Sequence, residues 1–350
     1  MTNLRLILQL AGRVPMCIEA LRDSDAGRVA AAEELCLQAG LGMGESANRQ
    51  IVDSSSVKRR KAPSGQIVKL TIVCTDWQSH APLAIEAMRR GRHVAVEVPA
   101  ALTFEDIDVL VKTSQETGCH CFMLENCCYD PALVDAIARV KAGEIGEPVH
   151  AEGNYYHRLG DRWTPWRLEM NRRQRGDLYP THELAPLCMA LGISPVGSVS
   201  GGFPAEAPAP DCLHTLVCMD SAPFSGPATY EHHLGSRAPD FLNGDHTTTL
   251  IRTRRGRTIL LRHDVLTDIP YERLFRIVGT RGVLTVADDG SQPHDHITIA
   301  MHESLLTALN EGRPLDFSVR DLATWCAVTP LSALSIERGF SPVSFPAAFG

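Results

Sequence analysis

Runs of β-branched and apolar residues alternate with helical stripes through the first third of the chain. Residues 67–75 (Ile-Val-Lys-Leu-Thr-Ile-Val-Cys-Thr) predict a strand buried in a parallel sheet. Residues 82–90 follow with Leu83, Ala84, Ala87 and Met88 on one helical stripe, and residues 93–97 form a second buried strand ending at Val98-Pro99. Residues 104–117 read as another amphipathic helix, with Thr103 placed to cap it, and residues 119–124 as a third strand. Strands and helices alternating at these lengths predict βαβ units. Upstream, residues 16–21 have the pattern of a strand running into Arg22-Asp23, and residues 25–39 that of a helix with Val29, Ala32, Leu35 and Cys36 on one face. Residues 4–11 then read as the tail of a first helix, whose strand and turn would precede residue 1. The rival reading makes residues 4–10 the first strand, with Gly12 a remnant of its turn.

The pattern changes after Asn126. Residues 131–142 are helical and end at Gly143, and Gly146-Glu147-Pro148 punctuates the chain. Strand-like stretches at 149–156, 247–253, 258–265 and 274–279 are separated by Gly- and Pro-rich loops, which predicts a mostly antiparallel sheet. Residues 197–227 predict irregular chain, and 297–311 and 319–336 closing helices. The expected fold class is α/β. A doubly wound parallel sheet lacking its first βα unit spans residues 1–125, and an α+β domain with an open, mostly antiparallel sheet spans 126–350. A missing central strand leaves backbone groups to be paired, so the N-terminus or a partner chain is expected to fill that slot.

Composition narrows the function classes. The 350 residues are 44% hydrophobic and 21% charged with a net charge of −7, an ordinary globular balance that argues against nucleic-acid or anionic-membrane partners. The Lys58-Arg59-Arg60-Lys61 cluster reads as a solvated loop. No apolar stretch reaches the roughly 20 residues that cross a bilayer, and residues 4–10 are too short for a secretory signal. Eleven cysteines without zinc-type spacing fit buried thiols in a reducing, cytoplasmic compartment.

One absence stands beside these features. Residues 1–12 contain no Gly-x-Gly-x-x-Gly turn, which lets a pyrophosphate approach the backbone at a helix N-terminus. The expectation that follows is weakened dinucleotide binding.

The segments Thr75-Asp76-Trp77-Gln78-Ser79-His80-Ala81-Pro82 and Gly91-Arg92-His93-Val94-Ala95-Val96-Glu97-Val98-Pro99 resemble the Gfo/Idh/MocA oxidoreductase superfamily. Most members carry a catalytic lysine where Val98 stands. That departure, with Leu124-Glu125-Asn126-Cys127-Cys128-Tyr129, Glu152-Gly153-x-Tyr155-x-His157, Trp166-Arg167-Leu168, Asp177-Leu178-Tyr179-Pro180-Thr181-His182, Thr248-Thr249-Leu250-Ile251-Arg252-Thr253, His263-Asp264-Val265 and Pro270-Tyr271, resembles glycoside hydrolase family 109. The similarity runs over roughly residues 66 to 345. It implies a Rossmann-like first domain, a second domain whose sheet mediates homo-oligomerisation (a dimer or higher), and NAD(P) as cofactor. The family chemistry, that of an NAD-dependent α-N-acetylgalactosaminidase, oxidises a sugar hydroxyl and thereby acidifies the neighbouring C–H. It then eliminates the glycosidic group, adds water and returns the hydride.

Carried onto this chain, the resemblance places Asp23, Trp77, Gln78, Ser79, His80, Glu97, Val98 and Asn126 around the cofactor. Tyr155, His157, Arg167 and Tyr271 would face a small-molecule substrate, and Tyr179 and His182 would be the acid–base pair. Asp76 departs from the family's usual proline, Asp177 from an asparagine and Glu183 from a glycine. The Gly-His-Gly-Gly-Met-Asp segment becomes Pro293-His294-Asp295-His296-Ile297-Thr298. Read without the resemblance, Tyr179 and His182 also fit simple hydrogen bonding at a helix start, and Arg167 a surface cation on an aromatic. Cys127-Cys128 reads as packing. His294-x-His296 and His232-His233 lack a third ligand at a zinc spacing, so no metal is expected. Three functions remain: a proton-transfer enzyme (elimination, isomerisation or cyclisation) that no longer holds NAD(P) tightly; an NAD(P)-dependent oxidoreductase or glycosidase; and a non-catalytic binding protein.

Overall fold

The computed structural model describes residues 2–10, 13–14, 18, 21, 23, 25–39, 68–194, 211–288, 290 and 294–347. The predicted strand at 16–21, apart from Ile18 and Leu21, and the basic cluster at 58–61 lie outside these residues. Helices α1 (Thr2–Leu8) and α2 (Ala26–Gln38) open the chain, so residues 4–8 are helix and not strand. Asp25 caps α2 by accepting the Gly27 and Arg28 N–H groups at 2.8 and 3.2 Å, and Ala32 and Cys36 are buried on the predicted face.

Strands β1 (Leu70–Val73), β2 (His93–Val96) and β3 (Cys121–Met123) alternate with α3 (Trp77–Arg89) and α4 (Phe104–Thr117). They form a parallel sheet in the order β1-β2-β3. Among the described residues β1 is an edge of this sheet. Thr103 caps α4 as predicted, accepting the Asp106 N–H at 3.1 Å. Asp76 caps α3, its carboxylate taking the Ser79 N–H at 3.1 Å and the Ser79 hydroxyl at 2.8 Å. The departure at Asp76 thus has a local structural use.

The rest comprises α5 (Pro131–Lys141), β4 (Pro148–Tyr156), α6 (Pro165–Arg173), α7 (Thr181–Leu191), β5 (Leu213–Asp220), α8 (Gly226–Leu234), β6 (His246–Thr253), β7 (Thr258–Asp264), β8 (Glu272–Gly279), β9 (Val283–Asp288), α9 (Asp295–Glu311), α10 (Val319–Cys326), α11 (Val328–Glu337) and β10 (Val343–Ser344). The seven-stranded sheet has the order β10-β5-β6-β7-β4-β8-β9 and is antiparallel except where β4 meets β7. Helices α7 and α11 cover one face, α7 on β4 and β8 and α11 on β5. The expectation of a mostly antiparallel open sheet holds.

Two sequence expectations need correction. Within the predicted irregular stretch 197–227, residues 213–220 form β5. Its inward Leu213, Leu216 and Cys218 are spaced irregularly among neighbouring prolines and serines, which hides the strand period. The single closing helix over 319–336 is two helices, α10 and α11, meeting at Ala327. Pro330 has no N–H to continue the ladder across that point and sits in the first turn of α11, where a proline is tolerated.

Contacts divide the chain into two compact units, 1–69 with 294–316, and 70–293 with 317–350. In the smaller unit α1 packs on α9, and His302 Nε2 hydrogen-bonds Asn3 Oδ1 at 2.9 Å. In the larger unit both sheets occur together, and the sequence boundary at 125 falls between them. Among the described residues no helix is long and apolar enough to cross a membrane.

Candidate functional site

The chain before α7 is pinned at several points. The Arg175 guanidinium grips Asp220 with two bonds, at 2.6 and 2.9 Å. Gly176 has a φ of +114, and a Cβ there would lie 2.6 Å from Ser332 Oγ and 2.9 Å from the Ala333 nitrogen, so glycine alone suits the position. Its N–H donates to Asn243 Oδ1 at 3.1 Å, and the Asp177 N–H donates to Ser332 Oγ at 2.8 Å. This anchoring fixes Tyr179 and His182 at the start of α7.

A hydrogen-bonded chain runs through these two residues. His182 Nδ1 is 2.6 Å from Glu125 Oε1, and His182 Nε2 is 3.3 Å from the Tyr179 hydroxyl. Glu125, just beyond β3, is fully buried. Burial pushes its carboxyl up, but the adjoining His182 imidazole outweighs this and holds it below the usual carboxylate range. An ionised carboxylate only accepts, so Nδ1 carries a proton, and in the neutral ring the lone pair of Nε2 then faces the tyrosine. Burial, then the neighbouring Tyr155, push the Tyr179 hydroxyl well up, so it stays protonated and donates to Nε2. Carboxylate, imidazole and hydroxyl are thus arranged to pass a proton in either direction.

Aromatic rings and two guanidiniums wall this chain. Trp77 stacks on Tyr179 with centroids 5.7 Å apart and meets Trp166 edge-on at 5.3 Å. Arg167 lies 4.9 Å from the Trp77 ring and 5.1 Å from the Tyr179 ring, so it is a partly buried wall of the site and not a free surface cation. Tyr155 stacks on His263 at 5.8 Å, and its hydroxyl donates to His157 Nδ1 at 2.6 Å. Burial, then Arg162, push the His157 imidazole down to about 3, which keeps it a neutral acceptor. Tyr271 meets His157 edge-on at 5.2 Å. Arg273, from β8, lies 5.4 Å from the Tyr155 ring, buried, with Nε unpartnered.

The residues expected around a cofactor behave less uniformly. The parallel register sets the ends of β1, β2 and β3 side by side, so Trp77, Glu97, Val98 and Asn126 follow adjacent strand ends. Val98 is buried, and its N–H donates to Glu97 Oε2 at 3.1 Å. His80 is buried with its two ring nitrogens 2.8 and 3.1 Å from the Pro99 and Thr75 carbonyls, which makes it a clamp between backbone segments. Ser79 is engaged with Asp76, and Gln78 is exposed. Asp23 belongs to the smaller unit, where it accepts the Asp25 N–H and lies 3.9 Å from Arg28.

Four residues around the site were given no site role by the sequence: Glu125 and His263, which stand in the family motifs, Glu183, which was noted only as a departure, and Arg273. Glu183 and Glu125 are fully buried, and neither carboxylate oxygen of Glu183 has a hydrogen-bond partner. Glu125, Cys127 and His182 bring donor atoms within 4.8 Å of one another. Nδ1 of His182 is already committed to Glu125, and burial holds Cys127 as a thiol.

Comparison with known proteins agrees with this architecture. Residues 32–125 match the oxidoreductase family with an NAD-binding Rossmann fold, and residues 161–299 match the glycosyl hydrolase 109 C-terminal domain. A glycosyl hydrolase family 109 protein of Porphyromonas gingivalis is 33% identical over 385 aligned positions, covering 94% of this chain and 78% of that protein. Among solved structures, a probable dehydrogenase from Thermotoga maritima superposes with a TM-score of 0.71 at 13% identity, over 97% of this chain and 95% of its own. The WlbA dehydrogenase of Bordetella pertussis, solved with NADH and UDP-GlcNAcA, has a TM-score of 0.67 at 16% identity, over 98% and 93%.

Proposed function

Since the chain belongs to glycosyl hydrolase family 109, we propose that it is a glycosidase-type enzyme working by proton transfer at a hydroxyl-bearing carbon of a sugar-like substrate. His182, oriented by Glu125, is the base, and Tyr179 delivers and recovers the proton. The observation that carries this reading is the Glu125–His182–Tyr179 chain, walled by Trp77, Tyr155 and Arg167. Arg167 is suited to grip an oxygen-rich ligand with its planar fork, and His157, held neutral with Nδ1 taken by the Tyr155 hydroxyl, offers its Nε2–H as a donor.

The adjacent ends of β1–β3 fit the nicotinamide half of NAD(P), because ligands of such sheets lie beyond the carboxyl ends of the strands. Trp77, Glu97, Val98 and Asn126 would hold it, and the neighbour solved with NADH supports this. When bound, the dinucleotide supplies reversible oxidation of a substrate carbon, which acidifies the adjoining C–H. Without it, the same pocket serves elimination, isomerisation or cyclisation of a substrate that is already acidic. Calorimetric titration with NAD and NADP, joined to hydrolysis assays on nitrophenyl α-glycosides, separates these readings. Saturable binding with dinucleotide-dependent release of nitrophenol is expected. No binding up to about millimolar dinucleotide would leave the cofactor-free chemistry.

A further inference from the structure

Two carboxyl groups at the foot of α7, Glu125 and Glu183, are buried facing Arg273, the one buried guanidinium among the described residues, and the buried carboxyl of Asp177 lies beside Glu183. Their hydrogen bonds rank them. Glu125 has the His182 ring N–H at 2.6 Å. Asp177 accepts the Thr249 hydroxyl at 3.3 Å and the Tyr179 N–H at 3.4 Å. Glu183 has no donor from another residue on either oxygen. The side chain is also held in place. Its Cβ stands where a Cβ on Gly153 would come within 2.7 Å, so the bare backbone of β4 presses against it.

One guanidinium cannot balance two buried carboxylates with a third beside them, and an ionised group without donors is the costliest to keep. The groups facing Glu183 are Glu125 from the end of β3, Cys127 from the following turn, Tyr155 from β4, Asp177 from the loop before α7, and Arg273 from β8. Only Arg273 among them is positive.

We propose that Glu183 is a positioning residue that stands as a neutral acid at neutral pH, leaving the charge of Arg273 to Glu125 and so keeping the Glu125–His182 hydrogen bond intact. Losing the Glu183 proton at alkaline pH adds a second buried anion beside Glu125 and perturbs that bond. Burial, reinforced by Asp177, pushes the Glu183 carboxyl well up, in agreement with this arrangement. The proposal deepens the acid–base reading of the pocket and rests on it only for its catalytic meaning.

The test compares the whole chain with its Glu183→Gln variant and needs no substrate. Urea unfolding across pH should show the wild-type folding constant falling about tenfold per pH unit relative to the variant, from the ordinary glutamate value of 4.5 upward. A constant difference between about pH 5 and pH 8 overturns the proposal. The downfield NMR resonance of the His182 Nδ1 proton should change in step with the Glu183 titration in the wild type and stay fixed in the variant. A resonance indifferent to the substitution overturns the positioning role, even where the proton is held. Should the variant fail to fold, the infrared band of a protonated carboxyl decides: persistence at about pH 8, where Asp177 at about 6 is ionised, supports the proposal, and absence overturns it. Failure of these arms is distinct from failure of the catalytic reading, which Tyr179 and His182 variants probe by turnover.

Discussion

At the ends of β1 and β2, polar side chains are occupied with holding the scaffold. His80 is tied to two carbonyls, Asp76 to Ser79, and Glu97 to the Val98 N–H. Where α7 crosses β4 and β8, buried polar atoms are left open: Glu125 Oε2, both oxygens of Glu183, and Arg273 Nε. Buried polar groups in proteins are nearly always satisfied, so a cluster of exceptions marks a place where a proton, a water or a substrate oxygen belongs. A residue can stand in a family motif and be tied into the scaffold, as His80 is. A residue outside the expected set can stand in the hydrogen-bonded chain of the site, as Glu125 does. The sharpest break of this contrast is kinetic. On a substrate that turns over, His182→Ala should lower kcat/KM by about a thousandfold and Tyr179→Phe by about a hundredfold, with folding unchanged by circular dichroism. Near-wild-type rates for either would remove the proposed roles.

The next effect is on stability against pH. Burial raises the Asp177 carboxyl from 3.8 to about 6. The folded state therefore holds a proton that the unfolded state has lost across that window. Stability falls as pH rises from about 3.8 through about 6 and is level above it, so low pH is the favourable side. Asp177→Asn should remove that slope and be more stable than wild type by roughly 3 kcal/mol at pH 7, compared with their difference at about pH 3.5. Urea unfolding at both pH values measures it. Parallel curves for the two proteins would show that Asp177 is ionised throughout.

Packing gives the third test. Gly153→Ala puts a Cβ 2.7 Å from that of Glu183, so a strand and a helix must separate, at about 2 kcal/mol. Glu183→Gly should relieve the clash in the double variant, and equal losses with and without Glu183 would show that the two faces do not meet there.

How much of this was legible beforehand follows from period and reach. The parallel strands and α4 with its Thr103 cap were readable because their signals are local. The pair Tyr179 and His182 was readable because three residues place both at one helix start. Arg273 was hidden by its surroundings, although Arg273, Phe275 and Ile277 share the buried face of β8 and that alternation was available. Glu125 was passed over for Asn126 beside it, yet a lone carboxylate between Leu124 and Cys127-Cys128 is itself a sign of burial. The unsatisfied state of Glu183 was not legible, because it depends on what four distant segments bring against it.

The smallest predicted effect isolates the scaffold side. Asp76→Ala removes two hydrogen bonds at the start of α3 and should cost about 1 kcal/mol, as other lost caps do. Ser79 then loses its partner as well, so Asp76→Asn, which keeps an acceptor, should recover most of the loss. Neither change touches Glu125, Asp177 or Glu183, so above about pH 5, where Asp76's own titration no longer enters, the slope of stability against pH should match wild type within error in both variants. A change in that slope would mean that the strand ends and the acid cluster are electrostatically joined, and the contrast between an occupied scaffold and an open site would fail where it is cheapest to check.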